Sequence, residues 1–292
     1  MLTPLPGWIT ATPPENLEVA AFKSGAALSH LNLATAADHV PQALWRERLA
    51  LAAAEVSAGI AGRREGAGAM RDALHLTKAG DDPGPAGNIL RQWSRAVSRP
   101  ISVLKLGRVL DGVAPERIAL NLDATGPTPV DRAAQVIEAV LEDNPRGEIA
   151  ALILADAVLS LALGRDHLLP LLGPVMTARD LRLRGDDLRL ACHRSAVRGV
   201  GQALSLAGTL ARAAARLRAA VPKLRAKGAA RAVEMILSQD VLTPVALARA
   251  MPDILSAPSL SERAARRLCE RLVELGVLRE LTGRDTFRLY GV

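Results

Sequence analysis

Aromatic side chains are scarce in this sequence, which has three tryptophans, two phenylalanines and one tyrosine among 292 residues. Hydrophobic residues still make up 49% of the chain, so Leu, Ala, Val and Ile must build the core. Ala and Leu lose little side-chain freedom in a helix, and this composition therefore favours a mainly helical protein. The two cysteines, Cys192 and Cys269, are too few for a disulfide framework and indicate a reducing compartment.

Segments that direct a chain to a membrane are also missing. The most apolar run, residues 149–163, has 15 residues and carries Asp156 in its middle. A helix that spans a bilayer needs roughly 20 apolar residues. The Pro-rich start, MLTPLPGWITATPPENLE, lacks the basic and apolar regions of a secretory signal. We therefore predict a cytoplasmic protein with no membrane partner, and a core helix at residues 149–163.

No motif for a cofactor or a metal is recognisable. The loop at residues 80–87 lacks both the dinucleotide-binding glycine pattern and the Lys-Ser/Thr pair of a phosphate loop. Asp186, Asp187, Cys192 and His193 are close in sequence, but their spacing does not give one coordinating face on a helix. We expect the aspartates to favour a helix start, and His193 to join an interface or core network. The prediction is no metal, no cofactor and no catalytic residue.

Three residues keep an enzymatic alternative open. Asp166 beside His167 has the chemistry of an acid–base pair, although adjacent side chains usually point apart and no nucleophile elbow is recognisable. Asp156 needs a partner if it is buried, and we expect an arginine or backbone donors in that role. A helical enzyme that uses these residues is the third and least favoured hypothesis.

The net charge of +7 is confined to the C-terminal part of the chain. Residues 209–292 hold 15 basic and eight acidic residues, whereas the remainder holds 22 of each. Such asymmetry indicates a polyanion partner, with a solvated arginine-rich surface as the alternative. The basic stretch runs from Arg212 to Arg288.

Helical periodicity runs through most of the chain and predicts an all-α bundle behind a Pro-rich N-terminal arm. We expect Trp8 and Ile9 to dock the arm, and Phe22 to pack on the same body. The longest helix is predicted from Asp186 to about Val221, because Pro222 breaks it. The basic linker KLRAKG then divides the chain into a helical domain, residues 1–221, and a C-terminal domain, residues 222–292.

The C-terminal domain has the predicted element order of a winged helix-turn-helix. Short helices at residues 227–239 and 243–250 precede a third helix, which begins at a capping box of Ser259 and Glu262. Gly276 ends this helix in the position that favours a left-handed residue. The buried stripe of the third helix is expected to comprise Ala264, Leu268, Leu272 and Leu275.

Two strands, residues 277–281 and 286–290, are predicted to pair as the wing, with Gly283 and Arg284 at its tip. A basic third helix can enter the major groove, about 12 Å wide, with its N-terminal side chains at the base edges. An arginine on the wing can reach a phosphate or the minor groove. The predicted DNA-binding residues are Arg263, Arg266, Arg267, Arg271, Arg284 and Arg288.

The favoured function is therefore a non-enzymatic DNA-binding or regulatory protein, with double-stranded DNA as its partner. Glu262, Glu270 and Glu274 share the third helix, however, and acidic side chains oppose phosphate. The alternative is a protein-interaction scaffold, in which the winged helix docks a protein partner or a second copy. An apolar patch on the exposed face of the third helix and wing would support this alternative.

Seven segments follow one another along the chain: VPQALWRERLAL, PGPAG, ALILADAVLSLALG, HLLPLL, RGDDLRLACHR, PKLRAKGA and LSERAARRLCERLVELGVLRELTGRDTFRLYGV. In this order they resemble a bacterial family, the domain of unknown function numbered 1403, from about Leu17 to Val292. The resemblance implies a mainly alphaproteobacterial, often plasmid-borne protein, and it brings no activity with it. The tail VELGVLRELTGRDTFRLY also looks like the winged helix of Fic-domain proteins. The Fic catalytic signature is absent, so adenylyl transfer does not carry over.

Overall fold

The computed structural model describes residues 2–36, 39–78, 80–224, 228–250, 260–284 and 287–292. Within these ranges the chain forms thirteen α-helices and one two-stranded antiparallel sheet, so the prediction of a mainly helical protein is confirmed. The helices are α1 (Gly7–Thr10), α2 (Leu17–Thr35), α3 (Gln42–Ile60), α4 (Ala67–His75), α5 (Gly84–Val97), α6 (Val103–Gly107), α7 (Pro115–Leu122), α8 (Pro129–Asp143), α9 (Glu148–Ala162), α10 (Gly185–Ala220), α11 (Ala229–Ile236), α12 (Pro244–Arg249) and α13 (Glu262–Glu274). The strands are β1 (Arg279–Glu280) and β2 (Tyr290–Gly291).

Polar side chains cap the first turn of several helices. Each of these caps accepts a hydrogen bond from the backbone N–H three residues later, which satisfies one of the four free donors at a helix start. The capping residues are Asn16, Ser102, Thr128, Thr243 and Ser261.

The long helix α10 is the axis of the bundle. Its 36 residues span about 54 Å at 1.5 Å per residue, and the prediction of a helix from Asp186 to about Val221 is confirmed. Helices α2, α8 and α3 pack along it. Many of its buried residues are small, among them Ala196, Ala203 and Ala207, so neighbouring helices approach closely.

Helix α9 lies inside the bundle, and the loop that follows it is buried as well. Every residue from Ala151 to Ser160 is buried, as the apolar run predicts. Among the described residues, neither α9 nor any other helix is long and apolar enough to cross a bilayer. The leucines of the following loop, Leu168, Leu169, Leu171 and Leu172, are at most 1% exposed. This loop therefore runs through the core, where its backbone N–H groups need partners.

Two side chains of α9 supply those partners. The Asp156 carboxylate accepts hydrogen bonds from the backbone N–H groups of Leu171, Leu172 and Gly173, at 3.0, 2.8 and 2.9 Å. The Ser160 hydroxyl accepts from the N–H of Leu169 at 2.9 Å. Burial raises the pKa of Asp156 to about 7, while the three N–H donors oppose that rise. The sequence-based expectation of backbone donors for Asp156 is confirmed.

Two glycines give this loop the space that it needs. A Cβ atom at Gly199 of α10 would collide with the carbonyl group of Leu171. A Cβ atom at Gly173 would lie 2.5 Å from the ring of Trp93 on α5. The loop therefore fits between α10 and α5 only because both positions lack a side chain.

A second buried polar network joins α2, α8 and α10. His193 Nδ1 lies 2.7 Å from the Ser24 hydroxyl, and His193 Nε2 lies 3.4 Å from Asp131 Oδ1. Asp131 also accepts hydrogen bonds from Arg189 Nε at 2.8 Å and from the Thr128 hydroxyl at 2.7 Å. The core network that the sequence suggested for His193 is confirmed. Burial lowers the pKa of His193, although the nearby Asp131 favours its protonation.

The predicted docking of the N-terminal arm is confirmed only in part. Ile9 is 3% exposed and docks the arm. Trp8 is 53% exposed and Phe22 is 68% exposed, with their ring centroids 5.6 Å apart. The expectation that Phe22 packs into the body is wrong, because Phe22 lies on the face of α2 that points away from the core and contacts Trp8 instead.

Replacing Asp156 with Ala should lower the free energy of unfolding by about 3–5 kcal/mol. Three buried N–H groups would lose their acceptor, and each unsatisfied donor costs about 1–3 kcal/mol. Asp156→Asn should lie between Ala and the wild type, because it keeps one carbonyl oxygen. Urea denaturation followed by circular dichroism measures the change, with the exposed Asp186→Ala as the control. A loss below about 1 kcal/mol for Asp156→Ala would contradict this account.

The contribution of His193 to stability should fall as the pH drops below about 6.5, the ordinary pKa of histidine, whereas the raised pKa of Asp156 acts in the opposite direction. The pKa of His193 is lowered in the folded state, so the unfolded chain binds the proton more tightly. The stabilisation is therefore complete above that pH, and is lost at up to about 1.4 kcal/mol per pH unit below it. The unfolding free energy of the wild type minus that of His193→Asn should therefore decrease as the pH falls from 7.5 to 5 in the same denaturation experiment. Parallel curves for the two proteins would exclude His193 as the source.

Candidate nucleic-acid interface

Helices α11, α12 and α13 and the β1–β2 hairpin form the C-terminal unit. In the hairpin, Arg279 pairs with Gly291 and Glu280 pairs with Tyr290. Leu242, just before α12, exchanges two backbone hydrogen bonds of 2.9 Å with Tyr290. The unit thus has a helix, a short extended stretch, two helices and a hairpin, and the extended stretch lies beside the hairpin.

The third helix of the unit, α13, is amphipathic as predicted, with small differences at its start. Its buried side chains are Ala265, Leu268, Cys269 and Leu272. The predicted burial of Ala264 and Leu275 is wrong, because both are only half-buried. The Ser261 hydroxyl caps it by accepting from the N–H of Ala264, whereas the predicted cap, Ser259, lies outside the described residues. Gly276 has a φ of 68° after the last turn, so the predicted helix end is confirmed.

The hairpin is shorter than the predicted strands. Beyond the paired residues of β1 and β2, the N–H of Leu281 donates to the carbonyl oxygen of Leu289 at 2.8 Å. The Glu280 carboxylate accepts hydrogen bonds from the N–H groups of Thr282 and Gly283. These two N–H groups therefore bond to a side chain and not to the opposite strand. Asp285 and Thr286 of the predicted loop and second strand lie outside the described residues.

Three of the six predicted DNA-binding arginines form a cationic patch on α13. Arg263, Arg266 and Arg267 are exposed on its N-terminal half, and among the residues that the structure describes they have no ion-pair partner. Arg271 is also exposed but pairs with Glu274 at 2.9 Å. Glu262 precedes these arginines and Arg271 lies between Glu270 and Glu274, so both signs of charge occur in each half of the exposed face.

The other two predicted arginines have contacts within the protein. Arg284 Nη2 lies 2.6 Å from the carboxylate of Asp72 on α4, an ion pair that joins the hairpin to the bundle. Arg288 is half-buried, and its Nε donates to the backbone carbonyl of Arg284 at 2.9 Å. Arg288 therefore shapes the hairpin, and Arg284 is exposed but engaged in an ion pair.

Asp240, which sequence reasoning missed, connects the unit to the bundle. Its carboxylate accepts two hydrogen bonds from Arg71 of α4, at 2.7 and 2.9 Å, and lies 2.6 Å from Arg48 Nε of α3. Arg48 also donates to the backbone oxygen of Val292 at 3.0 Å. Asp240 is 8% exposed, so this ion cluster is almost inaccessible to solvent. The sequence gives no signal for it, because the partners lie about 170–190 residues away.

This interface gives the C-terminal unit a fixed position on the bundle. Arg218 at the end of α10 adds a bidentate, exposed ion pair with Glu234 of α11. The buried apolar side chains of both parts belong to one contiguous cluster. The domain division at residue 221 stays a prediction, and Arg225, Ala226 and Lys227 of the predicted linker lie outside the described residues.

The residues of the enzymatic hypothesis do not form a pocket with free functional groups. Both oxygens of Asp156 are engaged by backbone N–H groups. Asp166 and His167 do contact each other, at 2.8 Å, so the expectation that adjacent side chains point apart is wrong here. Within the described ranges no three metal-ligating side chains come together. Burial raises the pKa of both cysteine thiols, to about 12 for Cys269, which fits packing residues.

Fold and surface together define a mainly helical protein whose C-terminal helices and hairpin present a cationic patch. The whole chain, residues 1–292, matches the model of the family described as Protein of unknown function (DUF1403). The chain belongs to this family, as the sequence resemblance indicated. No curated protein matches it.

Replacing Asp240 with Asn should cost about 3–5 kcal/mol of unfolding free energy, because Arg48 and Arg71 would keep buried charges without a carboxylate. The matched control is Glu234→Gln, which removes the exposed ion pair across the same interface and should cost less than about 1 kcal/mol. Urea denaturation measures both changes. Equal losses for the two variants would show that burial does not set the strength of this contact.

Proposed function

We propose that this protein is a cytoplasmic, non-enzymatic DNA-binding or regulatory protein that acts through a C-terminal winged helix. The observation that carries the proposal is the patch of Arg263, Arg266 and Arg267 on the N-terminal half of α13. These guanidinium groups are exposed and have no carboxylate partner among the described residues. Arginine is well suited to phosphate oxygens and to the acceptor edge of guanine.

The order of elements supports the proposal. A helix, a short extended stretch, two helices and a hairpin follow one another, and Leu242 pairs with Tyr290 beside the hairpin. In a winged helix the helix in the position of α13 enters the major groove with its N-terminal residues foremost. Three of the four arginines of α13 occupy that leading half, beside Glu262, whereas Glu270 and Glu274 lie in the trailing half.

The position of Arg284 refines the proposed contact set. Its ion pair with Asp72 places the wing against α4, so a DNA phosphate would have to compete with a carboxylate for this side chain. Arg288 is engaged by backbone of the same hairpin. The patch on α13 is therefore expected to supply most of the binding free energy, with smaller effects from Arg271, Arg284 and Arg288.

Changing Arg266 and Arg267 together to Ala should weaken binding to a random-sequence DNA duplex and flatten its salt dependence. Each phosphate contact contributes about −0.9 to the slope of log K against log salt, so the slope should become less negative by about two. Fluorescence anisotropy at several salt concentrations measures both quantities. Adding Arg263→Ala should flatten the slope further.

A matched control changes Arg146 and Arg182 to Ala, which removes the same charge from exposed turns before α9 and α10. This control should have the same salt slope as the wild type. Arg182 precedes α10, so it lies roughly 50 Å from the C-terminal end of that helix. DNA binding that is equally weakened in both variants would indicate a general charge effect. A wild-type protein that does not bind DNA with a negative salt slope would refute the proposal.

A protein-interaction scaffold is the second candidate, and two exposed apolar side chains favour it. Val273 on α13 is 37% exposed and Phe287 in the hairpin is 76% exposed. Phe287 also has a φ of 56°, a left-handed conformation that is uncommon for a bulky residue. An absence of DNA binding, together with self-association that Phe287→Asp abolishes, would favour this candidate.

A further inference from the structure

A groove runs along α10 between Asp187 and Thr209. Its volume is about 1270 Å³, and the N-terminal arm from Ile9 to Pro14 and the turn around Asp180 line its sides. Pockets for small molecules usually measure about 300–1000 Å³, so this groove has the size of a peptide site. The predicted DNA contacts have no part in it.

The arm is held in place without any ligand. The guanidinium of Arg194 donates two hydrogen bonds to the Pro14 carbonyl, at 2.8 and 2.5 Å. Lys23 Nζ donates to the Thr12 carbonyl at 2.7 Å, and Ile9 is buried beneath the arm. The groove is therefore preformed, and a ligand would bind without the entropy cost of ordering the N-terminal arm.

The residues of α10 that form the floor of the groove have the spacing along which a second helix can pack. Along α10 the residues that line it follow one another at intervals of three or four, namely Asp187, Leu190, Arg194, Val197, Gly201 and Ser205. Such 3–4 spacing places one continuous stripe along a packing partner. The stripe runs over 19 residues, and its ends are about 27 Å apart. A Cβ atom at Gly201 would meet nothing within 4 Å, so a helix can approach α10 closely there.

Three arginines and two aspartates line the groove, so its net charge is +1. Arg179 and Arg198 are exposed in its lining. The Asp180 carboxylate accepts hydrogen bonds from the Thr177 N–H and hydroxyl, both at 2.9 Å, and is engaged in its own turn. Of the two lining carboxylates, only Asp187 is turned to solvent without such a contact in the described part of the chain. A complementary occupant carries carboxylates.

We propose that this groove binds an amphipathic α-helix of a partner protein. Its apolar side chains would lie on Leu190, Val197 and Leu206, and its acidic side chains would face Arg179 and Arg198. The inference is independent of DNA binding, because it uses another surface. It adds a second macromolecular partner to the protein, recognised by helical shape and negative charge.

The test uses 18-residue helical peptides displayed on phage, with randomised residues on one face, selected against the full-length protein. The enriched sequences should have Leu, Ile or Met at 3–4 spacing and a net negative charge. A synthetic copy of one such peptide should bind the wild type in fluorescence anisotropy. Replacing Arg179 and Arg198 with Glu should weaken that binding at least tenfold.

Gly201→Leu provides the sharper variant. The new side chain extends into open space and raises helix propensity, so the protein should stay folded while the floor is blocked. Gly25→Leu on α2 is the matched control, because a Cβ atom there also meets nothing within 4 Å. Peptide binding should be lost in Gly201→Leu and kept in Gly25→Leu, and both proteins should melt at or above the wild-type temperature.

Three results would overturn the proposal. One is the absence of any enriched peptide, and another is enrichment of basic peptides. The third is peptide binding that Gly201→Leu leaves intact, which would place the site elsewhere. If the wild type forms dimers that Gly201→Leu converts to monomers, the occupant is a second copy and the proposed partner is wrong.

Discussion

The Asp156 carboxylate is the constraint on which the arrangement of the bundle depends. It accepts three backbone N–H groups from the loop at residues 171–173, inside a core where no water competes. A loop normally runs over the surface, because its backbone groups need hydrogen-bond partners. Here α9 supplies those partners, so the loop fills the space between α5 and α10 and helps set the distance between them. Gly199 and Gly173 complete the fit by letting this backbone approach a helix and an indole ring.

The same physical rule explains how the C-terminal unit is attached. A buried charge is tolerated when oppositely charged and hydrogen-bonding groups surround it. Asp240 meets this condition only through Arg48 and Arg71, which belong to two different helices of the bundle. The proposed DNA-binding surface is thus presented from a fixed position. This attachment also explains why Arg284 faces Asp72, since the wing lies against α4.

The sequence predicted those features that depend on local periodicity, and missed those that depend on distant partners. The limits of α10, the burial of α9 and the amphipathic face of α13 follow from residue spacing within one segment. The sequence predicts that a buried Asp156 carboxylate accepts hydrogen bonds, because a buried carboxylate needs donors. It does not predict which residues donate them. The Asp240 cluster and the contact of Arg284 with Asp72 join residues far apart in sequence, for which composition and periodicity hold no information. Phe22 was misplaced because an aromatic residue in a chain with few of them suggested a core position, whereas its helical phase puts it outside.

Helix α10 relates the two proposed binding surfaces to each other. Its outer side forms the groove floor around Arg198, and its end at Arg218 contacts Glu234 of the C-terminal unit. These two points are 20 residues apart, which corresponds to about 30 Å of helix. Helix α10 packs against several neighbouring helices along its length, and coupling between sites requires an element with two states. The geometry therefore favours a scaffold, in which a partner helix is held at a set distance from DNA and does not alter DNA affinity through α10.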